Sequence, residues 1–178
     1  TDVTVNGWDD VGHGLRSDGV MDLSVRNVTA SNNSLGVSVL RTDGFVVENV
    51  RTQDNYRGGL QAYNASMGII RDVVATNNSR KVDDWSGIRV VEASSDVLVE
   101  NATVTETRNG GDAILVNYQV LSNVTIRDVT VLNNDGAGLR IESGAVTVED
   151  ATARGNNWSF VMENVWEADG PPQVKRLD

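Results

Sequence analysis

Histidine occurs once in this 178-residue chain, as His13, and it stands in a dense run of chemically versatile side chains, Trp8, Asp9, Asp10, His13 and Arg16. A carboxylate pair followed closely by an imidazole supplies the groups that general acid and base work requires. Arg16 adds a guanidinium able to pair with a carboxylate through two parallel hydrogen bonds. Asp9, Asp10, His13 and Arg16 are therefore the candidate catalytic residues. A second acidic pair, Asp83-Asp84, lies between Lys81 and Trp85. Carboxylates of this kind are hard oxygen ligands, so Ca²⁺ is the one cofactor expected, with Asp83 and Asp84 as candidate metal residues and Asp9 and Asp10 as further oxygen donors. Trp8, Tyr56, Arg57, Trp85, Arg89 and Trp158 are candidates for holding a substrate, because aromatic rings stack on sugars and arginines pair with sugar acids. Solvated turns and coil-end caps are the competing reading of the same residues.

These side chains need a scaffold, and the chain supplies one by repetition. The phrase aliphatic, charged, Asn or Asp, aliphatic recurs as Val25-Arg26-Asn27-Val28, Val47-Glu48-Asn49-Val50, Ile70-Arg71-Asp72-Val73, Val99-Glu100-Asn101-Ala102, Ile126-Arg127-Asp128-Val129 and Val148-Glu149-Asp150-Ala151. Its third positions are 22, 23, 29, 27 and 22 residues apart. A Gly-aliphatic phrase precedes it in each unit, as in Gly36-Val37-Ser38-Val39 and Gly87-Ile88-Arg89-Val90. An Asn-rich turn follows it, as at Asn32-Asn33 and Asn77-Asn78, and in the fourth unit this turn is placed at Asn109. Both phrases alternate with period two and are rich in Val and Ile, which favours strands. Each coil is expected to hold two or three short strands separated by tight turns in which Gly and Asn take positive φ. No such coil buries its apolar face alone, so coils must stack, like residue over like, at about 4.8 Å. Val25, Val47, Ile70, Val99, Ile126 and Val148 then form one interior column, and Asn amides form ladders.

These phrases resemble the parallel β-helix repeats of the pectin-lyase-like superfamily over about residues 14–157. The resemblance implies an all-β fold, a right-handed parallel β-helix of about seven coils of 22–29 residues, with residues 1–168 as one domain and 169–178 as a tail or cap. Leucine-rich repeats share the period but need Leu where Val stands here. The superfamily includes pectate lyases, polygalacturonases, mannuronan epimerases and phage tailspikes, so the resemblance carries fold further than activity. Asp9-Asp10-Val11-Gly12-His13-Gly14 also resembles two polygalacturonase motifs, an Asp pair and a Gly-His-Gly. In that family carboxylates deliver acid and base and the histidine assists. Here only two residues separate Asp10 from His13, the Asn-Thr-Asp motif is absent, and Ser38-Val39-Leu40 stands where Arg-x-Lys would.

The repeat register puts the turn after each Asn segment on one edge, so Trp8, Tyr56, Trp85 and Trp158 share a rim. The outward positions of the Gly-aliphatic strands, including Arg16, Ser38, Gln61, Arg89 and Arg140, form no acidic groove. A net charge of −10, from 25 acidic and 15 basic residues, argues against nucleic acid as a partner. No apolar run approaches a membrane span, and without cysteine there is no disulfide or thiolate metal site. Seven Asn-x-Ser/Thr triplets, at Asn27, Asn32, Asn64, Asn77, Asn101, Asn123 and Asn157, follow from a repeat that wants Asn in turns and Thr in strands. The leading expectation is an extracellular or cell-surface β-helix that binds, and as an enzyme would cleave or epimerise, a polysaccharide. As an enzyme it would be a lyase, hydrolase or epimerase. The alternative is a structural or adhesive segment of a larger surface or viral protein, with end-to-end or homo-oligomeric assembly.

Overall fold

The computed structural model describes all residues except 1, 8–11, 82–84, 118–121, 144–145 and 164–171. Strands β1 (Val3–Asn6), β3 (Met21–Ser31), β5 (Asp43–Gln53), β7 (Ser66–Thr76), β9 (Ser95–Thr105), β11 (Ser122–Leu132), β13 (Val146–Arg154) and β15 (Gln173–Val174) stack in that order into one parallel sheet. Strands β2 (His13–Asp18), β4 (Leu35–Leu40), β6 (Gly58–Tyr63), β8 (Ile88–Val91), β10 (Ile114–Val116), β12 (Ala137–Ile141) and β14 (Trp158–Met162) stack into the other. Consecutive strands alternate between the sheets, so the chain winds as a solenoid of about seven coils and the described residues contain no helix.

The expected interior column is present. Val25, Val47, Ile70, Val99, Ile126 and Val148 are successive register partners, and all are buried. Leu15, Val37, Leu60, Ile88, Ile114, Leu139 and Phe160 form the facing column from the second sheet.

The corners explain the Asn and Asp content. In one coil Arg41, Gly44, Asn49 and Asp54 have φ of 46°, 72°, 51° and 55°. Asn and Asp enter this left-handed region more readily than other side chains, because their polar groups bond locally. The third residue of the recurring phrase, from Asn27 to Asp150, always stands at such a corner. That corner lies inside the long strands, so what the sequence suggests as two short strands is one bent strand of 11 residues in β3, β5, β7, β9 and β11. Six of the seven sequon asparagines, all but Asn157, have positive φ, so the fold itself accounts for their identity.

A buried Asn ladder ties the coils together beside the next corner. Asn55 Oδ1 accepts from the Asn33 backbone N–H at 3.0 Å, while its amide donates to Ala30 O at 3.1 Å and Asn78 Oδ1 at 2.8 Å. Asn134 and Asn156 repeat the pattern. In the fourth coil Thr107, not Asn109, occupies the ladder position, and its backbone N–H donates to Asn134 Oδ1. Asn109 lies outside the ladder, where its amide donates to Ser79 O at 2.7 Å.

On the outside of the first sheet the second residue of the phrase alternates in sign, Arg26, Glu48, Arg71, Glu100, Arg127, Glu149. Arg26 and Arg71 both pair with Glu48, the latter at 2.9 Å, and Arg127 pairs with Glu100 at 2.6 Å. Lys175, beside β15, pairs with Glu149 and extends the series. The tail from Gln173 hydrogen-bonds along β13, with Leu177 bridging Ala151.

Candidate functional site

The outer face of the second sheet, over its first four strands, brings together most of the described candidate residues. His13, Leu35 and Gly58 are register partners at the strand starts. Arg16, Ser38, Gln61 and Arg89 form the parallel column three residues on. At about 4.8 Å per coil, each column covers roughly 14 Å from first strand to fourth.

Trp85 sits at the centre. Its Cε3 and Leu35 Cδ1 lie 3.3 and 3.2 Å from the place a Gly58 Cβ would take, so Trp85 and Leu35 meet over Gly58. The Arg89 guanidinium carbon is 4.4 Å from the Trp85 ring centroid and that of Arg57 is 5.7 Å away. Lys81 Nζ lies 5.6 Å from the Tyr56 ring centroid. A guanidinium stacked on an aromatic ring gains cation–π attraction through its face and keeps its in-plane N–H donors for another partner. Arg89 Nε is buried without a hydrogen-bond partner, as is Ser38 Oγ in the same column. Burial pulls the Arg89 guanidinium below the ordinary arginine range, opposed by Glu92 and Tyr63.

His13 opens this face. Burial first, then the charges of Arg16 and Arg57, hold its imidazole below the usual histidine value, which favours the neutral, proton-accepting form. Arg16 is anchored by Asp18 at 3.0 Å, and Asp18 also pairs with Arg41 at 2.5 Å. Further along the sheet, Asp112 Oδ1 accepts from the Ala137 backbone N–H at 2.7 Å and Oδ2 from Arg140 Nε at 2.7 Å. Burial works against the Arg140 charge and is outweighed by the Asp112 hydrogen bond and by the charges of Asp112 and Glu163. Both Asp112 oxygens are thus committed, which makes this pair a brace between coils.

Arg57, Trp85 and Arg89 therefore meet, His13 and Arg16 share their face from its first strand, and Tyr56 precedes Arg57 on the same edge. Trp158 lies on that edge too, but on the seventh strand, roughly 14 Å along the axis from the fourth-strand position beside Trp85. Trp8, Asp9, Asp10, Asp83 and Asp84 lie outside the described residues, and with them the expected Ca²⁺ ligands. Among the described residues no three His, Asp or Glu side chains converge as a metal site would need. Ser38 and Gln61 were legible as outward positions. Leu35 and Gly58, which seat Trp85, were not singled out; the signal was the doubled Gly58-Gly59, where the equivalent positions of other units carry one glycine or none. A groove of about 330 Å³ on the other sheet, bounded by Asp2, Thr4, Asn27, Asn49, Arg51 and Asp72, contains no aromatic ring.

Solved structures share this architecture. The periplasmic alginate epimerase AlgG superposes with a TM-score of 0.74 at 12% identity, covering 96% of this chain and 43% of its own. An alginate lyase from Paenibacillus sp. str. FPU-7 reaches a TM-score of 0.48 at 13% identity, covering 99% of this chain and 80% of its own. The catalytic domain of a GH87 α-1,3-glucanase reaches 0.39 at 8% identity, covering 89% and 49%. This chain thus spans less than half the length of the epimerase. No curated protein matches it. The family described as "Right handed beta helix region" matches residues 13–166, and the chain belongs to that family.

Proposed function

We propose that this protein binds an acidic polysaccharide, one carrying uronate carboxylates, on the outer face of the second sheet between His13 and Arg89. The observation that carries the reading is Arg89, partly exposed and stacked on Trp85 with its guanidinium carbon 4.4 Å from the ring centroid. Stacking holds the guanidinium flat and leaves its outer N–H donors to a carboxylate, which a uronate supplies. Positive groups gather here, at Arg16, Arg57 and Arg89, in a protein of net charge −10. Such a local concentration attracts anions that the average surface repels. The columns run along the solenoid axis, which fits an extended chain better than a single sugar. The fold-level likeness to an alginate epimerase points the same way, and an extracellular or periplasmic setting belongs to the same reading.

The test is a titration with oligouronates and with the same oligomers after carboxyl reduction. Binding of the first and not the second, with affinity lost in Arg89→Met, is the expected result. Equal affinity for both would overturn the reading.

A second reading, proton removal from the carbon next to the carboxylate, is favoured by one observation. His13 is held toward its neutral form beside two arginines that can neutralise the carboxylate. Arginine pairing makes that C–H more acidic, and the neutral imidazole takes the proton. Solvent deuterium entering the bound uronate, or the ultraviolet absorbance of an unsaturated product, would reveal the step. Both signals are expected to vanish in His13→Gln.

A further inference from the structure

We infer that Gly58 and Gly111 are positioning residues that clamp the Trp85-Ser86 dipeptide from the coils on either side and so set the stacking of Arg89. This deepens the reading above, since Trp85 and Arg89 are its central groups.

Trp85 and Ser86 lead into β8, the fourth strand of the second sheet. Gly58 begins β6, one coil earlier, and Gly111 precedes β10, one coil later. A Cβ on Gly58 would stand 2.8 Å from Ser86 O and 3.3 Å from Trp85 Cε3. One on Gly111 would stand 2.1 Å from Trp85 O and 2.8 Å from Thr107 Cγ2. The nearest atom in each instance is backbone of the same dipeptide, which cannot rotate aside as a flexible side chain would. Neither glycine has positive φ. Alanine would therefore meet no conformational strain there, and the requirement for glycine comes from this close approach alone. The Gly59 N–H donates to Ser86 O at 3.3 Å and the Gly87 N–H to Asp112 O at 3.0 Å, so the dipeptide is held from the preceding coil and the residue after it from the following one. Pushing the dipeptide outward moves the Trp85 ring away from Gly58 and Leu35, and Arg89 loses the surface that orients its guanidinium.

The experiment uses Trp85 as its own reporter. In a chain carrying Trp8→Phe, Trp158→Phe and Trp166→Phe, Trp85 is the one remaining tryptophan. Gly111→Ala and the milder Gly58→Ala are each expected to shift its emission to the red and increase its quenching by acrylamide. Gly68→Ala is the control, because a Cβ there would stand 2.0 Å from Phe45 Cε1, remote from Trp85. It is expected to lower stability without altering Trp85 emission. If Gly111→Ala does not fold, Gly58→Ala at its smaller overlap decides. Unchanged emission in the folded glycine variants, or an equal change in Gly68→Ala, would overturn the clamp. These readouts need no glycan, so they stand apart from the binding proposal. A loss of oligouronate affinity of about tenfold in Gly58→Ala joins the two, whereas shifted emission with unchanged affinity would keep the clamp and remove Trp85 from the binding site.

Discussion

Glu48 stands between Arg26 on the preceding coil and Arg71 on the following one and pairs with both. The arrangement continues with Glu100 and Arg127 and ends with Glu149 and Lys175, so every described neighbour in this column carries the opposite charge. A coil that slipped past its neighbour would put like charges face to face. The ladder therefore favours one stacking order among coils whose interiors are nearly interchangeable.

Reversing one member tests this directly. Glu48→Arg places three guanidinium groups in succession and is expected to destabilise the fold by about 1–2 kcal/mol at low ionic strength. Molar salt should recover much of that loss. Urea unfolding at both ionic strengths measures the effect, and an equal loss at each would mean that packing, not charge, is responsible.

The Asn ladder makes a larger prediction. Asn55→Ala removes the acceptor of the Asn33 backbone N–H and the donor to Ala30 O, both deep in the structure. Leaving such groups unpaired costs about 2–4 kcal/mol. Thermal and urea unfolding should both show this loss, and a change below about 1 kcal/mol would mean water enters the ladder freely.

The pH dependence of His13 has a definite sign. Its folded value lies below the unfolded 6.5, because burial and the Arg16 and Arg57 charges oppose protonation. Between those two values the unfolded chain holds more protons, so stability falls as pH drops through that window and is fully present above 6.5. As the only histidine, His13 gives ring proton signals in NMR that report its titration without ambiguity. Arg57→Gln should move the midpoint upward. A bound polyuronate should raise it further, and by linkage affinity should strengthen as pH falls. A midpoint indifferent to Arg57 would contradict the electrostatic account of the site.

Much of the solenoid was legible in the residues. Period-two phrases gave the two sheets, and the spacing of Val25, Val47 and Ile70 gave the interior column, because every coil faces nearly the same surroundings as the next. The Asn-rich segments were legible as turns, but the Asn or Asp inside the recurring phrase was not legible as a bend within a strand, since an αL residue interrupts direction without interrupting the ladder. Thr107 was passed over in favour of Asn109 because the turn was sought by residue type, although Thr107 keeps the six-residue offset from the phrase's third position that Asn33, Asn55 and Asn78 keep. The stacking of Arg89 on Trp85 was out of reach for a different reason. Trp85 belongs to the insertion that lengthens the step from Asp72 to Asn101 to 29 residues, and what it touches is decided by Gly58 and Leu35, one and two coils away. Proximity to Trp158 was suggested by the shared edge, which says nothing of distance along the axis.

The most direct test of the acidic-polysaccharide site is NMR of the side-chain Nε–H of Arg89 and the indole N–H of Trp85 during titration with an oligouronate. The account predicts a shift of the Arg89 Nε–H as its guanidinium gains a carboxylate, with perturbations confined to β2, β4, β6 and β8. Silence at Arg89, or shifts centred on Arg51 in the groove of the other sheet, would contradict it.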